Sequence, residues 1–86
     1  MEYGIYSVRD ALNGFCPPMC DTTDGSATRN FKYAIGQPGV PTPSDFDLFR
    51  LGTFDLATGR IVPEEFPVLI YRGVDLRKEM ESDGTH

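Results

Sequence analysis

Pro43-Ser44-Asp45-Phe46-Asp47-Leu48-Phe49-Arg50-Leu51-Gly52-Thr53-Phe54-Asp55-Leu56-Ala57-Thr58-Gly59 is the densest apolar run of the chain, and the rest must be arranged around it. It alternates well enough to be a strand, and Asp55, Thr58 and Gly59 spell a tight turn at its end. The alternation breaks once. Leu48 points one way and Phe49 and Leu51 the other, and Phe54 rejoins Phe49 and Leu51 only if one residue is skipped. Gly52 stands where the skip is needed, and a glycine inside a strand pattern marks a bulge. With the bulge, Phe49, Leu51 and Phe54 share a face that we expect to be the core, while Arg50, Thr53 and Asp55 share the wetter one. Asp55 to Gly59 then reads as a type I turn closed by Gly59 in the left-handed conformation. Arg60-Ile61-Val62 is the returning strand, stopped by Pro63.

Working outward, Glu2 to Arg9 alternates as a strand, with Tyr3, Ile5 and Ser7 on one face and Gly4, Tyr6 and Val8 on the other. Asn13-Gly14 signals a hairpin with a loop longer than two residues. Pro17 and Pro18 lack amide hydrogens and confine the return from Phe15 to Cys20 to a sheet edge or to an extended non-strand segment. Asp21-Thr22-Thr23-Asp24 opens a helix through its capping oxygens and early acids. Ala27, Phe31, Ala34 and Ile35 form one apolar stripe that must lie on the sheet, and Gly36 is placed for a left-handed cap. Gln37 to Pro43 is a crossing loop, and Ser44-Asp45 leads into the central strand through a single helical turn. Phe66 to Arg72 reads as a last strand broken by Gly73, and Val74 to Glu81 as a short, marginal helix.

The expected fold is therefore α+β: a small antiparallel sheet of three to five strands, one helix from about Thr22 to Ile35 on one face, and a loose C-terminal segment. Residues 1–81 form a single domain and 82–86 a disordered tail. The 86 residues, with 40% apolar content, support a small core, and a chain this short buries only about three fifths of its unfolded surface, so a homodimer would help it. No apolar run approaches the roughly 18 residues of a membrane span, and Met1-Glu2-Tyr3-Gly4 carries no signal-type pattern. No membrane association is expected.

Thirteen acidic against eight basic residues give a net charge of −5, which opposes nucleic-acid binding by charge alone. A local basic face remains open to the chain. Arg9, Arg29, Lys32, Arg50 and Arg72, together with Tyr3, Tyr6, Tyr33, Phe49 and Tyr71, of which Tyr6 and Tyr71 are singled out, are the residue types with which single-strand binders stack bases and hold phosphates. These basic residues with Tyr6 and Tyr71 are the candidate nucleic-acid-binding residues. The competing reading makes the aromatics core and the arginines solvated surface.

For catalysis the residues offer no constellation: His86 stands alone, Asp21, Asp24 and Asp45 are accounted for as caps, Glu64-Glu65 are exposed loop acids, and no glycine-rich phosphate loop follows a strand. Cys16 and Cys20 are two of the four ligands that zinc wants, and the extended Pro17-Pro18 between them holds their Cα atoms beyond disulfide reach, so we expect two semi-buried free thiols. No cofactor, no metal and no enzymatic activity are expected.

Ile5-Tyr6-Ser7-Val8-Arg9-Asp10, Thr23-Asp24-Gly25 with Ala27, Arg29 and Phe31, and Asp45-Phe46-Asp47-Leu48-Phe49-Arg50-Leu51-Gly52 with Phe54-Asp55 and Thr58-Gly59 occur in unbroken order between Tyr3 and Ile61. Together they resemble the small nonstructural protein of gokushovirus-type microviruses, tailless phages with single-stranded circular DNA. The resemblance implies a nonenzymatic accessory role in phage DNA replication within the host bacterial cytoplasm, acting on single-stranded DNA or on host or viral replication proteins. It brings no binding-residue set with it. The alternative, of a different class, is a protein-interaction adaptor that uses the open sheet face or an edge strand.

Overall fold

The computed structural model describes residues 1–40 and 42–83. The chain runs β1 (Glu2–Asp10), β2 (Gly14–Phe15), β3 (Met19–Asp21), α1 (Asp24–Ile35), a 3-10 turn at Pro43–Asp45, β4 (Phe46–Asp55), β5 (Ile61–Arg72) and α2 (Gly73–Asp83). The strands pair antiparallel in the order β2-β1-β4-β5, and β3 shares the outer edge of β1 with β2. The architecture is the expected α+β sheet with its main helix on one face.

Helix α1 forms where its signals place it. Thr23 is the extended N-cap, and its Oγ1 accepts a hydrogen bond from the Ser26 N–H at 3.0 Å. Ala27, Phe31 and Ile35 recur at helical spacing and are buried against Tyr6 and Leu48, joined by Leu76 of α2. Ala34, expected in the same stripe, stays exposed. Gly36 is a correction: it caps the helix with φ −83°, in the right-handed region, and its N–H still donates to the Lys32 carbonyl at 3.0 Å. The left-handed glycines are instead Gly14 and Gly59. Gly59, at φ 75°, donates to the Asp55 carbonyl at 2.8 Å and closes the β4–β5 turn as its sequence predicts.

The skipped residue in β4 is real, and it is Leu51. Against β1, Ile5 lies opposite Gly52 and Tyr6 opposite Arg50, so Leu51 is the extra residue. The slip puts Phe49 opposite Ser7 and Phe54 opposite Tyr3, on one face, and Arg50, Thr53 and Asp55 on the other, as the pattern requires. Gly52 serves a different need from the one read in the sequence. It is buried under β5, and a Cβ there would lie 2.5 Å from the Val62 carbonyl oxygen and 3.0 Å from the Pro63 Cα, both backbone atoms.

Which face is the core is the opposite of the expectation. Helix α1 packs on the side of Tyr6 and Leu48, which is also the side of Arg50, and Phe49 and Phe54 lie on the face that no helix covers. Strand β5 is a second correction. Pro63 does not stop it; the returning strand and the last strand are one strand, interrupted where residues 64–67 bulge between Val68, opposite Arg50, and Pro63, opposite Gly52. An edge position tolerates the missing amide hydrogens of Pro63 and Pro67. The expected C-terminal helix starts at Gly73 and runs to Asp83, and residues 84–86 of the expected disordered tail lie outside the described residues.

Candidate nucleic-acid interface

The sheet divides the seven candidate residues between its two sides. Tyr6, Lys32, Arg50 and Tyr71 belong to the side under α1, and Arg29 is exposed on α1 itself. Arg9 and Arg72 belong to the uncovered side. Register places both opposite Asp47, so that Arg9, Asp47 and Arg72 form one row across β1, β4 and β5.

On the helix side the candidates are occupied. Tyr6 is 2% exposed, and its hydroxyl donates to Asp24 Oδ1 at 2.5 Å. Arg50 donates from Nη1 to Asp24 Oδ2 at 2.6 Å and from Nε to Glu64 Oε2 at 2.8 Å. Burial and the Asp24 carboxylate push the Tyr6 hydroxyl far above its ordinary range. The Tyr6 and Arg50 donors hold Asp24 below the usual carboxylate range, and the Glu64 and Asp24 carboxylates raise Arg50. Asp24, read as a capping residue, and Glu64, read as a loop acid, are thus the two partners that anchor the first turn of α1 to β4 and β5. With two carboxylates against it, the Arg50 guanidinium has its charge already offset within the fold and offers little attraction to a phosphate.

At the other end of α1, Lys32 Nζ lies 3.1 Å from Glu79 Oε2 and 4.8 Å from the centroid of the Tyr71 ring. Tyr71 packs edge-on against Phe31, with ring centroids 6.2 Å apart. Burial, with the Glu79 carboxylate second, pushes its hydroxyl up to about 12.

The uncovered face carries Tyr3 and Phe49 of the aromatics read from the sequence, and adds Phe15 and Phe54, which that reading missed. Phe15 meets Phe49 edge to face at 5.4 Å between centroids, and Tyr3, Phe54 and Ile61 form a further cross-strand row. Phe15 is opposite Arg9, so the aromatic rows adjoin the row of Arg9, Asp47 and Arg72. Arg72 contacts Asp75 at 3.3 Å in an exposed pair, the kind that contributes little and exchanges readily for another anion. The signal for this face was present in the alternation of Tyr3, Ile5 and Ser7 together with the grouping of Phe49 and Phe54.

Cys16 and Cys20 are free, and both are exposed rather than semi-buried as expected. Among the described residues, no group of three or more His, Cys, Asp or Glu side chains is arranged to hold a metal ion, and no helix is long and apolar enough to cross a membrane. Neither the curated proteins nor the solved structures give a match to this chain. The family profile described as Phage ORF5 protein matches residues 3–76, which takes in the sheet from Tyr3 onward, α1 and the start of α2. The chain belongs to the Phage ORF5 protein family, and is a phage protein.

Proposed function

We propose that this phage protein is a nonenzymatic accessory of phage DNA replication, of the gokushovirus type its sequence resembles, and that it binds single-stranded DNA on the uncovered face of its sheet. The observation that carries the reading is the juxtaposition on that face of Tyr3, Phe15, Phe49 and Phe54 with Arg9 and Arg72 at its end. Phe15 is exposed and Tyr3, Phe49 and Phe54 are half-buried; bases stack on such rings without regard to sequence, and arginines beside them neutralise phosphates. Two such contacts are few, so the affinity is modest and rests on stacking more than on charge. That suits a chain whose net charge is −5.

The test is fluorescence anisotropy with a labelled single-stranded oligonucleotide at two salt concentrations. Two phosphate contacts predict a fall in affinity of about 7-fold between roughly 50 and 200 mM salt. Arg9→Ala with Arg72→Ala should flatten that dependence, whereas Phe15→Ala should weaken binding at both salts by removing a stacking ring. No binding even at low salt would remove DNA as the ligand. The predominantly apolar lining of the face would then favour the second reading, an adaptor that takes a host or viral replication protein there.

A further inference from the structure

We infer that β5 is the seam of a homodimer, two copies of the chain packing this strand against itself about a two-fold axis. Five large apolar side chains stand exposed on it: Ile61 at 61%, Phe66 at 73%, and Val62, Val68 and Leu69. They do not share a face. Ile61 and Leu69 lie opposite Phe54 and Phe49, on the uncovered side, whereas Val62 and Val68 lie opposite Thr53 and Arg50, on the helix side beyond the reach of α1. Phe66 projects from the bulge between them. A strand that ends a sheet in water alternates apolar with polar, and one apolar on both sides is a strand covered on both sides. As the last strand in the order β2-β1-β4-β5, β5 lacks that cover within one chain.

A second copy is the occupant that fits. The five side chains offer on the order of 500 Å² of apolar surface, close to the apolar share of the roughly 800 Å² that each partner brings to a standard dimer interface. Charge opposes the contact only weakly despite the net −5 of each chain. Arg72 is paired with Asp75, and Arg50 offsets one of its two carboxylates, Asp24 and Glu64, so Glu65 and that shared group are the negative charges near the strand. The stoichiometry closes at two. The opposite edge of the sheet consists of β2 and β3, of two and three residues, separated by Pro17 and Pro18, so each chain has one long edge to share. Pro63 and Pro67 interrupt the backbone ladder, and the contact is made chiefly by side chains.

The seam borders the DNA face at Ile61 and Leu69, but Phe66 and the helix-side Val62 are no part of the aromatic rows, so substitutions there test the seam apart from the DNA reading. Sedimentation equilibrium of the full chain, from about 1 to about 100 μM, tests it. The expected species at the upper end has twice the 9.6 kDa mass of the chain. Phe66→Glu and Val62→Lys, both at exposed positions, should each raise the dissociation constant at least about 30-fold with an unchanged circular dichroism spectrum. A 9.6 kDa species at all concentrations overturns the inference. So does a dimer whose dissociation constant neither substitution moves, which would belong to another surface.

Discussion

Gly52 and Asp24 show at the scale of single residues how a correct local reading acquires its cause only from the fold. The glycine at the break in alternation was legible as the mark of a bulge, but the extra residue is its neighbour Leu51, and Gly52 is small because the backbone of β5 crosses it. Valine there gains at most about 1 kcal/mol of strand propensity and meets backbone atoms that cannot turn aside, at a cost of about 1–3 kcal/mol or more. Gly52→Val should therefore lower the melting temperature by several degrees, and a melting temperature unchanged or raised would mean that β5 does not approach so closely. Asp24 was legible as a helix-start acid, whereas its bonds to Tyr6 and Arg50 join residues far apart in sequence that no local pattern connects. Its carboxyl is held low in the folded protein, so its contribution is fully present above the unfolded value of about 3.9 and is lost as pH falls through the folded value. With the side chain 45% exposed, screening limits that contribution to about 1 kcal/mol or less. Asp24→Asn should flatten the fall in stability on acidification below about pH 4, as followed by urea unfolding at successive pH values; a fall as steep as in the parent protein would place the acid sensitivity elsewhere.

Among the elements, α1 was the most legible and β5 the least. The helix announces itself through a cap and a stripe, both local in sequence, and the stripe buries Phe31 at the centre of the core. Phe31→Ala should cost about 3–5 kcal/mol, most of the stability of a small domain, and a melting curve that does not move would mean that the helix covers other residues. Strand β5 reads as two strands because Pro63 looks like a stop, and what allows the chain to continue is its position at the sheet edge, which depends on the order of all the strands. The same distinction explains the inverted core. Periodicity and the bulge sort Phe49 and Phe54 from Arg50 and Thr53, but the two groups differ in polarity only through Arg50 and its neighbours, and the pattern alone takes the arginine side as wet. Asp24 and Glu64 make it otherwise by satisfying Arg50 beneath the start of α1.

For the molecule as a whole, one helix-covered face and one uncovered face follow from a chain long enough for a single packed layer of helix. The uncovered face then holds the aromatic rows, with Arg9 and Arg72 beside them, while Tyr6, Arg50, Lys32 and Tyr71 serve the fold. The candidate site was legible as a set of residue types, but its division between the two faces waited on knowing where α1 lies. Titrating the protein with a single-stranded oligonucleotide, with aromatic ring signals followed by NMR, tests the claim that the uncovered face is the working surface. The rings of Tyr3, Phe15, Phe49 and Phe54 should shift together and saturate, while those of Tyr6 and Phe31 stay in place. Shifts confined to Tyr6, Phe31 and Tyr71, or no ring shifts at low salt, would contradict it.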